Sequence, residues 1–211
     1  MASQSQKKLK RLVEKAEELF WKYGYNAVSM DQIANEAGIS KMTIYKHFHS
    51  KDDLFIETLI NNTIYHMDIV MKEISREYHT LEKIESMYAY MLTVSKDLPA
   101  NLIKDVMERP YVLEKIMEFK QKKVKAMWQY ILEDGIKKGE IRPLNVEFVS
   151  HLLLNLPLAF MQPDYLYEEK GRQWLYENFF DFMKYGLLGG EGYGKNHSNE
   201  SGRYKQELPN G

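Results

Sequence analysis

The stretch SMDQIANEAGISKMTIYKHFHSK, residues 29–51, decides the fold, because it carries three helix starts and one helix stop within 23 residues. Ser29 reads as an N-cap. Gln32, three positions on, completes a capping box, and Val28 with Ile33 forms a hydrophobic staple. Gly38 stands where a left-handed residue ends a helix, so residues 30–37 form a short one. Ser40 repeats the device with Ile39 and Ile44 as its staple, and Ser50 caps a fourth helix expected over residues 51–78. Punctuation at this density specifies tight turns.

On a helical wheel of residues 41–48, Ile44 and Phe48 fall together and point toward a core with Ile33, Ala34 and Ala37. Met42, Thr43 and Lys46 face outward, with Tyr45 and His47 on the flanks. A short helix set by a glycine turn against a packed second helix is the helix-turn-helix arrangement, whose second helix enters the DNA major groove. The side chains divide accordingly. Tyr45 and His47 can donate to phosphates, and Lys51 adds a cation at a helix N-terminus. Lys46 can donate to guanine acceptors, Thr43 is adaptable, and Met42 offers apolar contact to a thymine methyl. With Ser29 and Lys41 these make the candidate DNA-binding set.

Charge agrees with that placement. The first 51 residues hold nine basic and five acidic side chains, whereas the whole chain holds 29 against 30. A basic end on an acidic body points to a polyanionic partner for the basic end alone. Upstream, Leu9, Leu12, Val13, Ala16, Leu19, Phe20 and Tyr23 form one face of a first helix that stops near Gly24.

The run LVEKAEELFWKYGYNAVSMDQIANEAGISKMTIYKHFHSKDDLF, residues 12–55, resembles the DNA-binding domain of the tetracycline-repressor (TetR) family of bacterial regulators. Matching positions include Ala16, Phe20, Gly24–Tyr25, Ser29, Ile33–Ala34, Ala37–Gly38, Ser40–Lys41, Ile44–Tyr45, His47–Phe48, Lys51 and Leu54–Phe55. The resemblance implies phosphate contacts from Tyr45, His47 and Lys51 and a reading surface over residues 41–46. Met42 departs from the pattern, which often has glycine there, so the operator sequence is this protein's own. The resemblance further implies an effector-binding and dimerisation body, a palindromic double-stranded DNA operator, a homodimer, and repression as the commoner output.

The rest of the chain reads as helical, with segments expected near 81–95, 98–107, 110–138, 145–161 and 169–187. Pro110 suits a first helical position, and Pro157 is expected to kink its helix. The last helix is apolar nearly all round, which calls for neighbours on both sides, one of them a second copy of the chain. The fold class is therefore all-α. Residues 1–55 form a three-helix helix-turn-helix domain, residues 56–188 a ligand-binding and dimerisation domain, and residues 189–211, rich in Gly, Ser, Asn and charge, a disordered tail.

Nine of the twelve methionines, Met67, Met71, Met87, Met91, Met107, Met117, Met127, Met161 and Met183, lie in the body. With the aromatics they suit an adaptable pocket for a small, largely apolar effector. His151 and Asn155 are the expected polar groups of that pocket, with Tyr88, Met91, Tyr111 and Trp128 as further lining. No nucleophile elbow, P-loop, dinucleotide fingerprint or His-Glu-x-x-His occurs, so neither catalysis, cofactor nor metal is expected. The chain has no cysteine and no run of about 18 apolar residues, which favours a cytoplasmic protein without a membrane partner. A ligand-independent architectural or interaction protein bound to DNA is the alternative reading.

Overall fold

A computed structural model describes residues 4–75, 79–159 and 169–187. Every element within them is a helix: α1 (Gln4–Tyr23), α2 (Met30–Ala37), α3 (Lys41–Tyr45), α4 (Lys51–Ile74), α5 (Thr80–Asp97), α6 (Ala100–Met107), α7 (Pro110–Lys138), α8 (Val146–Ala159) and α9 (Glu169–Leu187). The bounds of α2, α7 and α9 coincide with those expected. The first helix begins earlier, at Gln4, and α8 runs through Pro157 to Ala159. The side chain of Pro157, that of Met91, Met161 and the tail from residue 189 lie outside the described residues.

The caps explain the short N-terminal helices. Ser29, Ser40 and Ser50 accept from the backbone N–H of Gln32, Thr43 and Asp53 at 3.1, 3.1 and 3.0 Å. Each supplies one of the partners that a helix start otherwise lacks, worth about 1 kcal/mol apiece. Gly38 closes α2 at φ 69°, and the following Ile39 N–H returns to the Ala34 carbonyl at 3.0 Å. Helical hydrogen bonding persists past Tyr45, because Phe48 N–H reaches the Ile44 carbonyl at 3.0 Å.

Two hydrophobic cores sit along the molecule. The first joins Leu12, Ala16 and Phe20 of α1, Ile33, Ala34 and Ala37 of α2, Ile44 of α3 and Leu54–Phe55 of α4. It also takes in Leu102 of α6 and Val112 and Ile116 of α7. The second gathers Val70 and Ile74 of α4, Ile84 and Met87 of α5, Trp128, Ile131 and Leu132 of α7, Leu153 of α8, and Phe179, Met183 and Leu187 of α9. At roughly 1.5–3 kcal/mol per fully buried large side chain, these cores set the helix order far more firmly than local propensity does. Both α4 and α7 pass through the two cores and so link the ends of the molecule.

Polar seams fix the C-terminal end of α7. Gly135 lies against Thr80, leaving no room for a Cβ, and Thr80 donates through backbone N–H and hydroxyl to Glu140 at 2.7 and 2.6 Å. Next to them, buried Lys83 pairs with Asp134 at 2.8 Å. After Gly139 ends α7 at φ 71°, Arg142 returns to close α9, its backbone N–H donating to the Leu187 carbonyl at 2.9 Å.

Candidate nucleic-acid interface

The turn between α2 and α3 presents one connected exposed surface. Ile44 is fully buried beneath α3, and Phe48 is partly buried against the same core. Met42 stands 71% exposed and Tyr45 41% exposed, and Ser29, Lys41, Lys46 and His47 are exposed as well. Thr43 is half-buried, its hydroxyl 2.8 Å from that of Ser40. Lys41 leans back to Asp31 at 2.7 Å, and that hydrogen bond raises its ammonium above the ordinary lysine value. Tyr45, Lys46 and His47 make no hydrogen bond or ion pair through their side chains with any described residue, and Met42 packs on nothing in the core. The surface is therefore a row of uncommitted donors around one large apolar side chain.

Lys51 lies elsewhere. Its Nζ donates to the Tyr25 carbonyl at 2.5 Å and sits 4.0 Å from the centre of the Tyr25 ring. Burial, reinforced by the nearby Arg109 guanidinium, lowers its ammonium below the ordinary value. The sequence pattern at the start of α4 shows a cation beside free N–H groups; it does not show that Tyr25 and Arg109 close around it.

Those two residues belong to a junction that sequence reasoning missed. Asp105 of α6 is buried, and its carboxylate accepts from Tyr25 N–H at 2.7 Å, Asn26 Nδ2 at 3.3 Å and Arg109 Nη1 at 3.2 Å. Arg109 also donates to Asn26 Oδ1 at 2.5 Å and to the Asp105 carbonyl at 2.6 Å, with its guanidinium carbon 3.8 Å from the Tyr25 ring centre. The Tyr25 hydroxyl donates to Asp52, and burial followed by this carboxylate pushes the phenol up to about 12. Gly24, at φ 80°, lets α6 come close: a Cβ there would lie 2.8 Å from Asn101 Nδ2. The α1–α2 turn is thus bolted to α6 and to the start of α7.

Of the six side chains expected to line a ligand pocket, that of Met91 lies outside the described residues, and the other five are not gathered in one place. Tyr88 and Trp128 meet, with ring centroids 6.0 Å apart, and Tyr88 packs edge-on against Phe179 at 4.4 Å. Burial holds the Tyr88 phenol well above its ordinary value. Tyr111 instead lies at the junction, 47% exposed and donating to Asp53 at 3.2 Å. His151 is exposed, and Asn155 turns its Nδ2 to the His151 carbonyl at 2.8 Å, the local bond that i, i+4 spacing on one helix favours. Among the described residues no group of three or more His, Asp or Glu side chains could hold a metal, and no helix is long and apolar enough to cross a membrane.

Comparison with known proteins fits this geometry. Residues 12–58 match the family model of bacterial regulatory proteins of the tetR family, and residues 75–188 match that of the C-terminal region of QacR-like proteins. The HTH-type transcriptional regulator YhgD of Bacillus subtilis is 32% identical over 160 residues, spanning 72% of this chain and 81% of that one. The HTH-type transcriptional repressor KstR2 of Mycolicibacterium smegmatis is 26% identical over 156 residues, spanning 72% and 76%. Among solved structures, FadR from Bacillus subtilis in complex with stearoyl-CoA shares the fold, with a TM-score of 0.61, 20% identity, and coverage of 85% of this chain and 99% of that one. The chain belongs to the TetR family of bacterial regulatory proteins and is a DNA-binding transcriptional regulator.

Proposed function

We propose that the protein is a cytoplasmic homodimeric repressor whose hold on a palindromic operator is relieved by a small effector with a largely apolar body. The observation that carries the DNA part is the surface of α3, exposed at Met42, Tyr45, Lys46 and His47 over the buried Ile44. In this reading Tyr45, His47 and Ser29 take phosphates and fix register, while Met42, Thr43 and Lys46 read base edges. Lys41 adds charge at the rim. Lys51 gives one of its three N–H donors to the Tyr25 carbonyl and offers a phosphate the others.

Dimerisation is supported by apolar side chains left bare on the last two helices. Phe148 of α8 and Trp174 and Phe182 of α9 are 65%, 48% and 56% exposed, whereas Phe179, Met183 and Leu187 on another side of α9 are buried. A second copy covering that face would place two α3 helices on successive major grooves, about 34–36 Å apart. Relief by an effector is supported by the aromatic cluster of Tyr88, Trp128 and Phe179, and by the stearoyl-CoA bound to a relative of the same fold. A ligand that favours a tilt of α4 misplaces one half-site. Couplings of roughly 1–3 kcal/mol change affinity about 5–150-fold.

Selection of bound DNA from a random pool tests the reading. A palindrome is expected, and Tyr45→Ala with Lys46→Ala should abolish its recovery while the far-UV spectrum stays helical. Recovery of unrelated sequences with salt-dependent affinity alone would overturn it.

A further inference from the structure

The run FKQKKVKAM, residues 119–127, looks like a solvated charge patch, yet its four lysines behave differently. Lys122 and Lys123 are exposed, and Lys125 pairs with Glu147. Lys120 stands at i+4 from Ile116 and i−4 from Val124, in the middle of the inward stripe that both belong to. It makes no hydrogen bond or ion pair with any described residue, and burial alone depresses its ammonium below the ordinary value.

The surroundings of Lys120 are unusual. The first core ends on α7 at Ile116 and the second begins at Val124; on α4 the corresponding limits are Ile60 and Val70. Between them, no residue of 59–69 on α4 or 117–127 on α7 is fully buried. Two helices joined at both ends thus leave an interval, roughly 15 Å long at the α-helical rise, in which every side chain keeps some accessible surface. Lys120 and Tyr88 are surrounded by protein yet keep accessible surface, as side chains lining an internal space do. No counter-charge comes from these helices: Asp68 and Glu118 are exposed, and Glu118 is engaged by Lys115 at 2.9 Å. Polar pairs on the α4 side are His66 with the Tyr90 hydroxyl, 2.7 Å apart, and Asn62, which donates to Glu17 of α1 at 3.1 Å. An enclosed ammonium without a partner costs stability until an anion joins it.

We propose that this interval is the effector site and that its ligand is an organic anion. One acidic head pairs with Lys120 Nζ, and an apolar body runs along α7 toward Trp128, Tyr88 and Phe179. This rests on the effector reading above and gives it a ligand class.

The test uses the full chain and two dyes of one shape, anilinonaphthalene sulfonate and its uncharged counterpart N-phenylnaphthylamine. Wild-type protein should bind the sulfonate roughly tenfold or more tightly than the neutral dye, as a charged hydrogen bond provides. Lys120→Met should bring the two affinities within about twofold while still binding the neutral dye, and Lys123→Met should change neither. Absence of a preference in the wild type, or its survival in Lys120→Met, would overturn the anion assignment. If the neutral dye binds and releases operator DNA under that outcome, the effector reading stands alone. If neither dye binds, the interval is closed and both fall.

Discussion

Asp105 and Lys120 are both charges set into the inner side of the helical body, on α6 and α7, and they differ in what meets them. The Asp105 carboxylate receives three donors from two other parts of the chain. Lys120 receives no acceptor from any described residue. A buried charge with its shell complete holds structure together; one with its shell open stores a demand that a ligand can meet. The contrast marks Asp105 as part of the frame and Lys120 as part of a site.

The contrast breaks most visibly at Asp105. Asp105→Ala leaves the Tyr25 N–H without its acceptor and the Arg109 guanidinium without its counter-charge, so urea unfolding should show a loss of about 3 kcal/mol. Operator affinity should fall with it, because the turn that carries α2 and α3 loses its anchor. Lys120→Met should have the opposite sign, a gain of roughly 1 kcal/mol in the ligand-free protein, read as a higher urea midpoint at unchanged slope. A loss there would mean that the ammonium is already satisfied.

Tyr25→Phe sharpens the comparison on a smaller scale. It removes one hydrogen bond to Asp52 and should cost about 1 kcal/mol at neutral pH. The phenol's folded value of about 12 lies above its unfolded value. The folded state therefore keeps its proton while the unfolded state loses one, so the contribution is complete below the unfolded value and declines as pH rises toward 12. Alkaline unfolding of wild type should consequently fall more steeply over that window than that of Tyr25→Phe. At the other end of α7 the sign reverses. The Thr80 donors hold Glu140 below the ordinary carboxylate value, so its contribution is lost as pH falls through the folded value. Acid unfolding of Glu140→Gln should be the flatter curve in that range.

The helix-turn-helix was legible because its determinants are local. Ser29, Gly38 and Ser40 act on groups within four residues, and the period of Ile33, Ala34, Ala37 and Ile44 gives the buried side directly. The junction was not legible, since Tyr25 and Asp105 are 80 residues apart and nothing in the run around Asp105 announces a partner. His151 and Asn155 looked like a ligand pair by spacing, yet the same spacing favours the bond that Asn155 makes to its own helix. Lys120 could have been found. Its i+4 relation to Ile116 and Val124 is in the sequence, concealed by three lysines around it that face outward or pair at the surface.

The first core has a bearing on how such proteins diversify. Leu102, Val112 and Ile116 complete the packing beneath the DNA-reading head, so the head is no interchangeable cassette. A chimaera cut after α4's first turns would pair a foreign head with these three side chains and with an Asp105 that finds no matching turn. Recombination between relatives has to carry α6 and the opening of α7 along with the head, whereas a single codon change at Met42 leaves the whole assembly in place. With α3 as the proposed reading surface, new operators are more accessible to this chain by point substitution there than by exchange of domains.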